Sequence, residues 1–158
     1  DLPSLKEVLE IGKARVIKEG KKVALLNFGT RLAECRKASE KLSADGIECS
    51  IIDARFAKPL DKKLIMEIAT NHEVLITIEE GSVGGFGSHV MQLLSDRGVF
   101  DTGLKFRSMF LPDLFIDQDT PEKMYELAGL DCLSIVNKVK ETLNSNIILA
   151  KNKNKILN

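Results

Sequence analysis

The chain has no excess of charge of either sign. Its 23 Lys and Arg balance 23 Asp and Glu, so the overall field gives no reason to expect a polyanionic partner, and nucleic acid is set aside. No apolar run approaches the ~20 residues a helix needs to cross a bilayer, and the first residues lack the basic and apolar stretches of a secretory signal, so no membrane role is expected. Cysteine is scarce as well. Cys35, Cys49 and Cys132 show none of the close pairing of a zinc site and read as reduced, semi-buried apolar residues in an intracellular, reducing compartment. Phosphate-loop chemistry is thinly represented: Gly85-x-Gly87 lacks the third glycine of the dinucleotide fingerprint, and no glycine-rich stretch ends in the Lys-Ser/Thr pair of a nucleotide-binding loop.

What remains is an alternation of β and α patterns over 158 residues, a length that suits one domain with a single core and no staples. Residues 15–18 and 23–28 are β-prone and are separated by Glu19-Gly20-Lys21-Lys22, which predicts a hairpin with the first strand antiparallel to the second. Val23-Ala24-Leu25-Leu26 is continuously apolar, the mark of a central strand covered on both faces. Thr30 is placed to cap a helix whose Leu32, Cys35, Ser39 and Leu42 share a face and which Gly46 ends. Strand 48–54 follows. Lys58-Pro59-Leu60-Asp61 forces an extended entry to a helix capped by Asp61 and running to about residue 69. After strand 73–78 comes a glycine-rich turn, then a helix with Val90, Leu93 and Leu94 facing inward, then a last strand over about 104–110. Thr120-Pro121-Glu122 combines a cap, a proline in the first turn and an acid, and Asp131 is placed to cap a terminal helix with Leu133, Val136, Val139 and Leu143 at helical spacing.

This pattern predicts a three-layer α/β/α fold around a mixed sheet of about five strands, mostly parallel with one antiparallel edge strand. Residues 1–12 read as an N-terminal linker segment, 13–144 as the domain, and 145–158, where Asn and Lys interleave, as a loose tail. Because the first residue is Asp1 rather than methionine, the chain is expected to be part of a longer polypeptide.

The strand-to-helix turn Glu79-Glu80-Gly81-Ser82-Val83-Gly84-Gly85-Phe86-Gly87-Ser88 belongs at the carboxyl edge of the sheet, where ligands and neighbouring domains dock. Adjacent residues leaving a strand point to opposite sides, so Glu79 and Glu80 read as acceptors for turn or helix amides rather than as an acid–base pair. They would also repel an anion approaching the glycines, whose plainer role is tight turn geometry. His72 and His89 have no nearby cysteine or second histidine and read as uninvolved. Arg55 and Lys58 follow the third strand and are expected to reach the same edge, either as solvated cations with Pro59 and Asp61 setting the backbone geometry, or paired with Glu79 or Glu80. Pro112-Asp113-Leu114-Phe115-Ile116 is a loop with exposed-looking apolar residues, suited to cover a core or meet a partner.

Five segments occur together in order: Gly12-Lys13-Ala14-Arg15; Val23-Ala24-Leu25-Leu26-Asn27-Phe28-Gly29; Asp53-Ala54-Arg55-Phe56-Ala57-Lys58-Pro59-Leu60-Asp61; Glu79-Glu80 with Gly84-Gly85-Phe86-Gly87-Ser88; and Leu111-Pro112-Asp113-Leu114-Phe115-Ile116. The set resembles the C-terminal, transketolase-type domain of 1-deoxy-D-xylulose-5-phosphate synthases, over residues 9–143. Transketolases and the beta subunits of 2-oxoacid dehydrogenases share that domain and are the alternatives. So is a free-standing module that binds a small anion or nucleotide at the glycine turn. Arg55-Phe56-Ala57-Lys58, the Gly-Gly-Phe-Gly-Ser run and Pro112-Asp113-Leu114-Phe115 leading to Leu127-Ala128-Gly129-Leu130-Asp131 favour the synthase.

The resemblance implies a transketolase-type enzyme that condenses pyruvate with glyceraldehyde 3-phosphate, losing carbon dioxide, on the route to isoprenoids, thiamine and pyridoxal. It implies thiamine diphosphate and Mg2+ as cofactors of the intact enzyme, held by upstream domains and not by this segment. A homodimer is implied, in the bacterial cytoplasm or a plastid. No catalytic, cofactor-binding or metal residue is then expected here, and the segment alone is expected to be inactive. Its role would be contact with the upstream domains or across the dimer, through Arg55, Lys58, Asp61, Glu79 and Glu80, the turn at Gly84, Gly85 and Phe86, and Asp113 and Phe115 of the following loop.

Overall fold

A computed structural model describes residues 8–156, with side chains through residue 145. Residues 1–7 of the expected linker and the last two of the expected tail lie outside the described residues. The elements are β1 (Arg15–Lys18), β2 (Val23–Phe28), α1 (Leu32–Ala44), β3 (Cys49–Asp53), α2 (Lys62–Asn71), β4 (Val74–Glu79), α3 (Phe86–Asp96), a 3-10 turn (Val99–Thr102), β5 (Lys105–Met109), α4 (Pro121–Leu127) and α5 (Cys132–Ile156).

The five strands form one sheet in the order β1-β3-β2-β4-β5. β2 pairs in parallel with β3 and β4, and β4 with β5, while β1 runs antiparallel along the outer edge of β3. The mixed sheet with one antiparallel edge strand is as expected; the hairpin is not. β1 has the predicted direction but pairs with β3, with Arg15 opposite Asp53, because β3 lies between it and β2. Two strand spacings are about 9.6 Å and four extended residues reach about 13 Å, so the link over 19–22 is long enough to cross the beginning of β3. It is fastened there by the Ser50 hydroxyl, which accepts from the Gly20 amide at 2.8 Å, and by the Lys21 amide donating to the Glu48 carbonyl at 3.3 Å. Gly20 presses so closely on the backbone of Cys49 and Ser50 that a Cβ would strike it.

Successive β2 residues face opposite layers. Val23 and Leu25 pack with Cys35, Ala38 and Leu42 of α1 and Ile135 and Val139 of α5, whereas Ala24 and Leu26 pack with Ile65 and Ile68 of α2 and Val90 and Leu94 of α3. That double burial is why the strand is apolar without alternation. Burial also pushes the thiols up, Cys35 to about 12 and Cys49 to about 11, so both behave as small apolar core residues.

Three local expectations change. Thr30 does not cap α1: the residue before the helix is Arg31, which makes no side-chain cap bond, and the Thr30 hydroxyl is drawn to Glu80 instead. His72 is not idle. Its Nδ1 lies 2.8 Å from the Ile68 carbonyl and its Nε2 2.8 Å from the Ser50 hydroxyl, so it ties the end of α2 to β3. The region past Asn144 is helical rather than loose, since α5 continues to Ile156; after Gly129 the sequence has no glycine or proline to stop it. Elsewhere the caps are as read. Asp61 accepts from the Leu64 amide at 3.1 Å, Thr120 from Lys123, and Asp131 from Leu133 and Ser134.

Candidate contact face at the carboxyl edge

From β2 the chain goes to β3 on one side and then crosses to β4 on the other, so the carboxyl ends of β2 and β4 flank the topological switch point, the usual ligand crevice of an open α/β sheet. Here the crevice is filled by the chain's own side chains.

Glu79, the last residue of β4, is 3% exposed. Its two carboxylate oxygens each take one amide at 2.8 Å, Oε2 from Phe86 and Oε1 from Gly87. The residue capping α3 is Gly85, which has no side-chain oxygen, so the strand's carboxylate does the capping from outside the helix. A Cβ on Gly81 or Gly85 would run into that carboxylate, and Phe86 anchors the helix start by stacking on Phe28 at 5.1 Å. The helix N-terminus that a phosphate would use therefore already holds an anion.

Glu80 points to the other side, as the sequence predicts. Its carboxylate accepts from the Thr30 hydroxyl and pairs with Arg31 Nε at 3.1 Å; the Arg31 guanidinium lies 3.5 Å from the centre of the Tyr125 ring. Burial works to raise the Glu80 carboxyl, but hydrogen bonds with Thr30 and Tyr125 and the charge of Arg31 outweigh it and hold the group below its ordinary value. The bond to Glu80 in turn raises Tyr125. This cluster fastens α4 across the crevice.

Of the two readings of Arg55 and Lys58, the pairing with the glutamates is not what these carboxylates show: Glu79 takes helix amides and Glu80 takes Arg31. The cation on Glu80 is Arg31, while Arg55, which has a left-handed φ of 57°, places Nε 3.9 Å from Asp53. Asp53 also accepts from Arg15 at 3.2 Å, so the two cations share the carboxylate that ends β3. Lys58 lines a shallow cleft of about 360 Å³ with Lys62, His89 and Asp96. Asp61 serves two elements at once, capping α2 with Oδ1 and accepting the Ala14 amide on Oδ2 at 3.2 Å. Arg31 is the residue the sequence reading missed. Its signal was its place just beyond the end of β2, level with Glu80 beyond the end of β4.

Gly84 turns with a φ of 90° in the loop between β4 and α3. That loop is joined to the segment after β5 by the Leu111 amide donating to the Gly81 carbonyl at 2.9 Å. Beyond that bond, Asp113, Leu114 and Phe115 are exposed, Phe115 fully at 103%. Among the described residues, no three His, Cys, Asp or Glu side chains are grouped to hold a metal ion.

A family model described as transketolase, C-terminal domain, matches residues 12–135. Among solved structures, one described as a split gene transketolase, inactive beta4 tetramer, is similar with a TM-score of 0.80 and 30% identity, covering 91% of this chain and 46% of that chain. The transketolase of Campylobacter jejuni subsp. jejuni shares the fold, with a TM-score of 0.59 and 16% identity over 82% of this chain and 18% of its own. The chain thus spans less than half the length of either structure.

Proposed function

The chain belongs to the transketolase C-terminal domain family, and from this premise we propose that it is the C-terminal domain of a 1-deoxy-D-xylulose-5-phosphate synthase, acting there as a contact domain rather than a catalytic one. The intact enzyme would join pyruvate and glyceraldehyde 3-phosphate with loss of carbon dioxide. Support for this member of the family comes from Arg55-Phe56-Ala57-Lys58-Pro59, Gly84-Gly85-Phe86-Gly87-Ser88 and Pro112-Asp113-Leu114-Phe115, the segments whose resemblance favours the synthase.

The observation that carries the contact role is the self-filled crevice. Glu79 takes the amides at the start of α3, and Glu80, Arg31 and Tyr125 close the switch point, so a diphosphate would meet two carboxylates where it needs donors. These residues do not fit thiamine diphosphate or its metal ion, which supports placing both in the upstream part of the parent. The split gene transketolase, an inactive beta4 tetramer, is a precedent for a chain with this domain that assembles without turning over.

The test has two arms. Thiamine diphosphate and Mg2+ titrated into the isolated 158-residue chain should give no binding heat, and the chain should not consume pyruvate and glyceraldehyde 3-phosphate. The full-length parent should release carbon dioxide from pyruvate only when glyceraldehyde 3-phosphate is present. Turnover by the isolated chain would overturn the contact role, and ketol transfer between sugar phosphates by the parent would replace the synthase with a transketolase.

A further inference from the structure

Resting on the contact role proposed above, we infer that Phe115 is the anchor of an acidic docking loop that inserts into an apolar pocket with a basic rim on the upstream part of the parent polypeptide. An aromatic ring exposed at 103%, beside Leu114 at 57%, has nothing to gain from water. The loop is not adrift: the Leu111 amide bonds the Gly81 carbonyl at 2.9 Å and the Leu114 amide bonds the Pro112 carbonyl at 2.8 Å, so the ring is presented from a fixed base. A pre-positioned aromatic loses little freedom on docking and is the residue type that dominates contact energies.

Charge chooses the occupant. Between Arg107 and Lys123 the chain carries Asp113, Asp117, Asp119 and Glu122 and no cation. Asp119 is paired with Lys123 at 3.3 Å, whereas Asp113 and Asp117 are exposed and have no ion-pair partner among the described residues. A two-fold contact centred on this loop would set acid against acid, which disfavours a second copy of the chain seated there. A surface of opposite sign fits, and the matched structures have more than half their length outside the region they share with this chain.

Hydrogen exchange at residues 113–117, measured on the full-length parent and on the isolated chain, tests this. The loop should exchange about tenfold more slowly in the parent. Phe115→Asp should abolish that difference without lowering the melting temperature of the isolated chain, where Phe115 has nothing to lose. Asp117→Lys should shrink the difference more at about 50 mM than at about 500 mM salt. Equal exchange in an active synthase parent, or an unchanged difference in Phe115→Asp, would overturn the docking while leaving the proposed function intact. Protection that appears in the isolated chain and grows with its concentration would assign the loop to self-association and overturn it as well. A parent without synthase activity removes the proposed function instead.

Discussion

Replacing Glu79 is the sharpest probe of how this fold has closed its own crevice. In Glu79→Ala two buried amides, those of Phe86 and Gly87, lose their acceptors together. An orphaned buried donor costs roughly 1–3 kcal/mol, and the small void left by the side chain adds to that, while the desolvation cost of the buried charge is recovered. The net expectation is a loss of about 3–5 kcal/mol, a large share of the ~5–15 kcal/mol of a typical domain. Glu79→Gln keeps one carbonyl oxygen for one amide but sets its NH2 against the other, so it should lose about 2–3 kcal/mol. Urea unfolding followed by far-UV circular dichroism reads both, with the slope of the transition checking that the denatured state is unchanged. The vacated helix start should then accept an outside anion, so about 50 mM phosphate should raise the midpoint of Glu79→Ala more than that of the wild type. Losses under about 1 kcal/mol in both variants at constant slope would refute the capping argument, because two buried amides cannot lose their only acceptor at so small a cost.

Glu80 sets an acid limit. Its carboxyl is held below its ordinary 4.5 in the folded chain, so its pairing stabilises the fold above that value and is lost as the pH falls through the lower, folded one. Stability measured from pH 6 to pH 3 should fall less steeply in Glu80→Gln than in the wild type below about pH 4.5; parallel curves would remove the argument. At the other side of the turn, a Cβ on Gly87 would stand 2.7 Å from both Thr77 Oγ1 and Ser108 Oγ, two hydroxyls that already bond each other at 3.1 Å. Gly87→Ala should therefore push α3 off β4 and β5 at a cost of about 1–3 kcal/mol in the same urea assay, and an unchanged midpoint would show that the helix start gives way freely.

Where physics is local, the sequence was enough. The continuous apolar run at Val23 to Leu26 announced a strand buried on both faces, the Asp61 and Asp131 caps were readable from position alone, and the opposite directions of Glu79 and Glu80 followed from the period of a strand. Pairing across the sheet was not local. Four residues between β1 and β2 fit a hairpin and a step over one strand equally well in length, and what decides between them is the Ser50 hydroxyl and the bare Cα of Gly20, thirty positions apart. The partner of Glu80 depended on the same kind of information. Arg55 and Lys58 lie beyond the end of β3, on the other side of β2, but the switch point brings β2 and β4 together, so the cation placed just beyond β2, Arg31, wins the carboxylate. Strand order thus decides which charges meet, and it decides what the glycine turn is for. With Glu79 folded back onto the amides of α3 and Glu80 held by Arg31, both acids are spent inside the fold, and among the described residues Asp113 and Asp117 face outward beside Phe115 without an ion-pair partner.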